Sequence, residues 1–136
     1  MYTGLPFLRR SLPLLCALFL AGNAQADWFL LGRTDTFRIY LDKGSTQRSE
    51  TTVQTVQLLD FVKAQWIDAQ TVIMSVKSVV EFDCTQPRVR NISVDTYSEQ
   101  MTGGRLISSE KFPAAEWENI QAGSSAEGVR KITCAK

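Results

Sequence analysis

The chain has 136 residues, with 15 Lys and Arg against 14 Asp and Glu, a formal net charge of +1 and no histidine. A balance this even excludes an electrostatic drive toward nucleic acid or an anionic membrane. The missing imidazole excludes Ser-His-Asp and Cys-His catalysis and the usual zinc sites.

Residues 1–26 read as a secretory signal peptide, with a basic region at Arg9 and Arg10, an apolar run from Leu12 to Ala21, and a small-x-small cleavage site at Ala24-Gln25-Ala26. A transmembrane anchor needs about 20 apolar residues, and this run ends sooner, at polar Asn23 and Gln25. Cys16 lies inside the leader, and Leu15 before it is not the small residue a lipidation site requires. Cleavage leaves residues 27–136 as one domain. Without Arg9 and Arg10 the basic count falls from 15 to 13 against 14 acidic residues, a net charge of −1.

The expected elements follow in chain order. Trp28 to Gly32 reads as a short strand. Thr36 to Asp42 alternates, with Phe37, Ile39 and Leu41 on one face and Arg38, Tyr40 and Asp42 on the other. Lys43-Gly44-Ser45 is a turn. Thr51 to Trp66, rich in Thr, Val and aromatics, favours a strand. Its imperfect alternation points to a bulge. A connection at Asp68-Ala69-Gln70 leads to a strand ending at Cys84. On it Val72, Met74, Val76, Val80, Phe82 and Cys84 share the core face, and Ser75, Lys77, Glu81 and Asp83 the wet one.

Thr85-Gln86-Pro87 turns the chain into a strand from Arg88 to Tyr97. A register with Asp83 opposite Arg88 also sets Glu81 opposite Arg90 and Phe82 opposite Val89, two ion pairs on the wet face and an apolar pair on the dry one. Farther along the same register would set Val76 against Asp95. A bulge near Asn91 removes that clash and returns Ile92 and Val94 to the core side. Gly103-Gly104 marks a loop without the spacing of a phosphate-binding motif. Arg105 to Phe112 is a strand ended by Pro113. Ala114 to Asn119 is ambiguous, with one helical turn as its best reading. Ser124-Ser125-Ala126-Glu127 is a capping box opening a helix of about ten residues that turns Val129, Ile132 and Cys134 inward.

Cys84 and Cys134 remain after cleavage. Two thiols in an exported chain favour a disulfide, with free or intermolecular thiols as alternatives. A bridge would close about 50 residues and contribute about 4 kcal/mol by chain entropy. Glu81 and Asp83, two apart beside arginines, read as a charged face rather than a catalytic carboxylate pair. Arg88 and Arg90 read first as ion-pair partners and second as contacts for an acidic ligand. Of Trp28, Trp66 and Trp117, at least two are expected to be buried, against a sugar-stacking platform. No catalytic residue, metal ligand or cofactor site is read from the sequence.

Several stretches together resemble the surface-adhesin protein E family of Gram-negative bacteria: WFLLGRTD at Trp28, IYLD at Ile39, EFDC at Glu81 with the arginines after it, DTYSEQM at Asp95 with Gly103-Gly104, WENI at Trp117, GSSAEG at Gly123, and Cys134. The resemblance implies an α+β fold, a six-stranded antiparallel sheet with a C-terminal helix on its concave face held by a Cys84–Cys134 bridge. It also implies a non-enzymatic, outer-membrane-exposed protein that can form a homodimer and binds host matrix or serum proteins such as vitronectin and laminin. The family's basic segment after the first cysteine corresponds to Arg88 and Arg90, which become candidate ligand contacts. The leader without a lipidation box and the unmatched Thr46 to Gln57 depart from the family pattern. A periplasmic or envelope structural protein is the rival reading.

Overall fold

The computed structural model describes residues 25–136, so most of the segment expected to be a signal peptide, including Cys16, lies outside the described residues. Strands β1 (Trp28–Arg33), β2 (Phe37–Asp42), β3 (Gln47–Arg48), β4 (Thr52–Trp66), β5 (Val72–Asp83), β6 (Arg88–Tyr97), β7 (Leu106–Lys111) and β8 (Glu118–Asn119) precede one helix, α1 (Ser125–Cys134). Six strands run antiparallel in the order β1-β2-β4-β5-β6-β7, while β3 adds to β4 and β8 to β6. The expected six-stranded sheet with a C-terminal helix is therefore present, extended by two short strands. The segment Ala114 to Asn119 is one correction. It carries β8 instead of a helical turn, because Asn119 and Glu118 pair with Arg88 and Val89 along the edge of β6 that β7 leaves open.

The sheet is covered on both faces, at different ends. On one face α1 lies over Ile39, Leu41, Val53, Val80 and Phe82, and Val129 completes that core. On the other face the loop after β6 folds back. The Asp60 carboxylate accepts from Met101 N at 2.7 Å, and Ser75 Oγ donates to the Glu99 carbonyl at 2.7 Å and accepts from Thr102 N at 3.0 Å. Gln100 Nε2 donates to the Phe61 carbonyl. Met101 and Thr102 hold left-handed backbone, φ 54° and 63°, which costs about 1–2 kcal/mol per residue and is maintained by these anchors.

This two-sided cover explains the irregular pattern of β4. Val53 and Thr55 are buried toward the helix, whereas Leu58 and Asp60 are buried on the opposite face. Pairing with β5 is continuous from Thr52 to Asp60, so the phase changes because the covering layer changes sides. A register shift does occur, but later, between Asp60 and Gln65.

In the β5–β6 hairpin the pairs Asp83↔Arg88, Phe82↔Val89 and Glu81↔Arg90 match the expected register. The bulge falls at Ile92, between Val80↔Asn91 and Val79↔Ser93. It sets Val94 opposite Ser78 and Asp95 opposite Lys77. At the sheet's outer edge, β1 has a bulge at Leu31, and the Lys43 ammonium lies 4.2 Å from the centre of the exposed Phe29 ring.

Helix α1 is capped by Ser124, whose hydroxyl accepts from Glu127 N. The reciprocal arm of the box reaches one residue farther, from Glu127 Oε2 to Gly123 N. Ile132 does not turn inward as expected but is 51% exposed, and Thr133 is buried in its place. The i to i+4 step from Val129 selects Thr133, and its hydroxyl is satisfied by donating to the Val129 carbonyl. Cys134 is bonded to Cys84, and Arg130 Nε donates to the Asp83 carbonyl, so both ends of that turn are fixed to the end of β5.

Candidate functional site

Strand alternation alone places Glu81 and Asp83 of β5 and Arg88 and Arg90 of β6 on the face opposite α1. Arg88 Nε donates to Asp83 Oδ2 at 2.8 Å, and Arg90 donates through Nε and Nη2 to Glu81 Oε2 at 3.0 and 2.8 Å. The ion-pair reading of the two arginines is therefore correct. The carboxylates are the buried members, with side chains 5% exposed at Asp83 and 15% at Glu81, while the arginines retain 34% and 32%.

Asp83 is the anchor of this cluster. Its Oδ1 accepts from the Thr85 hydroxyl, Thr85 N and Gln86 N. The Thr85 hydroxyl first, then the backbone N–H groups and Arg88, hold its carboxyl far below the usual carboxylate range against the opposing effect of burial. The same side chain closes the Thr85-Gln86-Pro87 turn and orients Arg88.

Trp117, the residue before β8, joins the two ion pairs. Its ring centre lies 5.0 Å from the Arg88 guanidinium carbon and 4.4 Å from that of Arg90, within cation–π range of both. β8 creates this contact, since pairing Asn119 with Arg88 and Glu118 with Val89 brings Trp117 level with Arg90. The sequence leads to an expectation that at least two of the three tryptophans are buried. In the structure none of the three tryptophans is buried: Trp28 and Trp117 are half-buried and Trp66 is 65% exposed. Trp117 was missed as a partner of the arginines because its segment carries no strand signal. The WENI stretch following a proline-broken strand was the available clue.

A second charged group crosses the same face. Lys77 pairs with Asp95 at 3.2 Å, Asp95 accepts from the Ser109 hydroxyl, and Lys77 lies 5.8 Å from the Tyr97 ring centre. The Ser109 hydroxyl first, then Lys77, lower the Asp95 pKa. Burial opposes the charge on Lys77, but Asp95 and Tyr97 outweigh it and the pKa is raised. The face thus offers rigid, internally compensated charges flanked by Trp117 and Tyr97.

Cys84 and Cys134, the other residues singled out from sequence, are joined, with Cα atoms 5.6 Å apart. They are structural and lie at the base of the helix. Among the described residues no group of three or more Asp, Glu, Cys or His side chains is placed to hold a metal ion, and no helix is long and apolar enough to cross a membrane.

Among curated proteins none matches the sequence. The fold is similar to solved structures of Haemophilus influenzae protein E. One has 14% identity and a TM-score of 0.59, covering 82% of this chain and 86% of that one; a second crystal form has 14% identity and a TM-score of 0.61, covering 82% and 90%. At that identity the likeness concerns the fold. The sequence of residues 28–135 matches the family described as surface-adhesin protein E. The match spans every strand and the helix, including both bonded cysteines, and the chain belongs to the surface-adhesin protein E family.

Proposed function

We propose that this chain is an exported, non-enzymatic adhesin that binds a protein ligand of the host matrix or serum, of the vitronectin or laminin kind, through the face bearing Arg88, Arg90 and Trp117. Family membership supports the adhesin class. The observation that carries the site is the rigid presentation of two half-exposed guanidiniums. Arg88 is held by the buried Asp83 carboxylate and Arg90 by the partly buried Glu81 carboxylate, and both lie beside one indole, with Arg88 committing Nε and Arg90 committing Nε and Nη2. A guanidinium has five N–H donors, so both arginines keep donors for a partner. Arg and Trp so arranged match the residues that dominate protein interfaces. Export by the leader, exposure at the cell surface and homodimer formation belong to the same reading.

Binding of the chain from Asp27 onward to immobilised vitronectin and laminin tests this reading. Arg88→Ala/Arg90→Ala and Trp117→Ala are each expected to weaken binding by tenfold or more, the cost of losing a central interface residue being about 2 kcal/mol. Trp117→Ala leaves both ion pairs in place, so its effect is separable from instability. Unchanged binding by both variants, with circular dichroism showing them folded, removes this face from the site. Protection from protease on intact cells, together with a soluble periplasmic pool, would favour an envelope-resident protein instead.

A further inference from the structure

Between β7 and β8 the chain leaves the edge of β6. Phe112 N still donates to the Ile92 carbonyl, Pro113 then breaks the strand, and pairing resumes only at Glu118 opposite Val89. The excursion spans the part of β6 that carries the bulge at Ile92. It leaves a cleft of about 400 Å³, walled by Val94, Phe112 and Trp117 and edged by Asn91, Glu116 and Glu118. A bulge that re-aims side chains beside a concavity is a recurrent feature of binding sites.

The charged side chains that line this cleft are both acidic, and the cation nearest its Trp117 wall is the Arg90 guanidinium, 4.4 Å from the ring centre. Glu116 and Glu118 form no salt bridge among the described residues, and the Asn91 amide makes no side-chain hydrogen bond there. No lysine or arginine lines it. The neighbouring Arg88 and Arg90 are compensated by Asp83 and Glu81. Lys111 is paired opposite Ser93 and acts on Asp95. Apolar walls with a carboxylate rim suit a side chain that has an aliphatic stem and a cationic head.

We infer that the cleft between β7 and β8 is a receptor for one lysine or arginine side chain of a protein partner, its stem against Val94, Phe112 and Trp117 and its charge between Glu116 and Glu118. The inference stands on the cleft, which shares Trp117 with the face named above, and does not require the host ligand.

Capped Gly-Lys-Gly, Gly-Arg-Gly and Gly-norleucine-Gly peptides, titrated into 15N-labelled protein with the disulfide intact, test it. The lysine and arginine peptides are expected to shift the amides of Asn91, Val94, Phe112 and Glu116 to Glu118 saturably. Norleucine, equal in stem and lacking the charge, is expected to bind about tenfold more weakly, and Glu116→Gln/Glu118→Gln to weaken the lysine peptide about tenfold, as two exposed charge contacts allow. Both glutamates are exposed, so the double variant is expected to keep its spectrum elsewhere. Equal binding of the norleucine peptide, shifts centred outside the cleft, or no saturable shift at concentrations on the order of 10 mM would overturn the inference. Failure to bind vitronectin or laminin would not touch it.

Discussion

Cys134 ends the helix and Cys84 follows the last residue of β5, and the bond between them joins positions 50 residues apart. A ten-residue helix is marginal by itself, so this tether and the burial of Val129 hold it on the sheet. Replacing both cysteines by alanine is expected to lower stability by about 2–4 kcal/mol, by releasing the denatured chain from a long closed loop. Urea unfolding of the oxidised and the substituted protein checks this. Equal midpoints would show that the bridge adds nothing.

Asp83 makes the ion pair with Arg88 dependent on pH. Its folded pKa is depressed below the unfolded value of about 3.9, so its contribution is full above that value. It is lost as pH falls toward the folded pKa. Asp83→Asn is expected to be less stable than the parent at pH 7, with the gap shrinking by pH 2.5. Urea midpoints at both values test the sign, and a gap independent of pH would refute the assignment.

Two glycines with positive φ are expected to differ in tolerance. Gly104, φ 69°, would bring a new Cβ against Ser98 Oγ and within 2.8 Å of Glu99 Cγ, while Gly123, φ 78°, has open space around it. Gly123→Ala therefore carries only the left-handed cost of about 1–2 kcal/mol. Gly104→Ala adds the clash and disturbs the Ser98 hydroxyl that accepts from Arg105 N. Thermal unfolding is expected to rank Gly104→Ala below Gly123→Ala, and the reverse order would contradict the described loop.

Ser124→Ala removes the acceptor for Glu127 N and is expected to cost about 1 kcal/mol. Amide exchange at Val129 and Arg130 should accelerate with it. A change confined to the first helical turn would mean that the tether at Cys134 makes the cap redundant.

Where local pattern and burial agreed, the fold was legible in the sequence. The β5–β6 register followed from opposite charges spaced two apart on either side of a Thr-Gln-Pro turn. The cysteine pairing followed from compartment and count, and the helix start from Ser124 and Glu127. The misreadings share a cause in tertiary contact. The bulge expected in β4 is present after Asp60, but the burial of Leu58 and Asp60 on the second face depends on the loop at Met101, which comes 41 positions after Asp60. Helical spacing assigns Ile132 to the core but does not say where on the helix the contact is centred, and Ile132 is exposed. Trp117 met Arg90 only because β8 formed, and a two-residue strand leaves no periodic trace.

The bulge at Leu31 has a consequence for how copies of this chain meet in crowded surroundings. β1 carries 46% exposed Phe29 and 43% exposed Leu30 on an outer strand, the kind of border that recruits further strands into fibrils. The extra residue skews that border out of register after Leu30, and the Lys43 ammonium sits over the Phe29 ring. A single added residue thus works as a gatekeeper, guarding the solubility of a greasy margin.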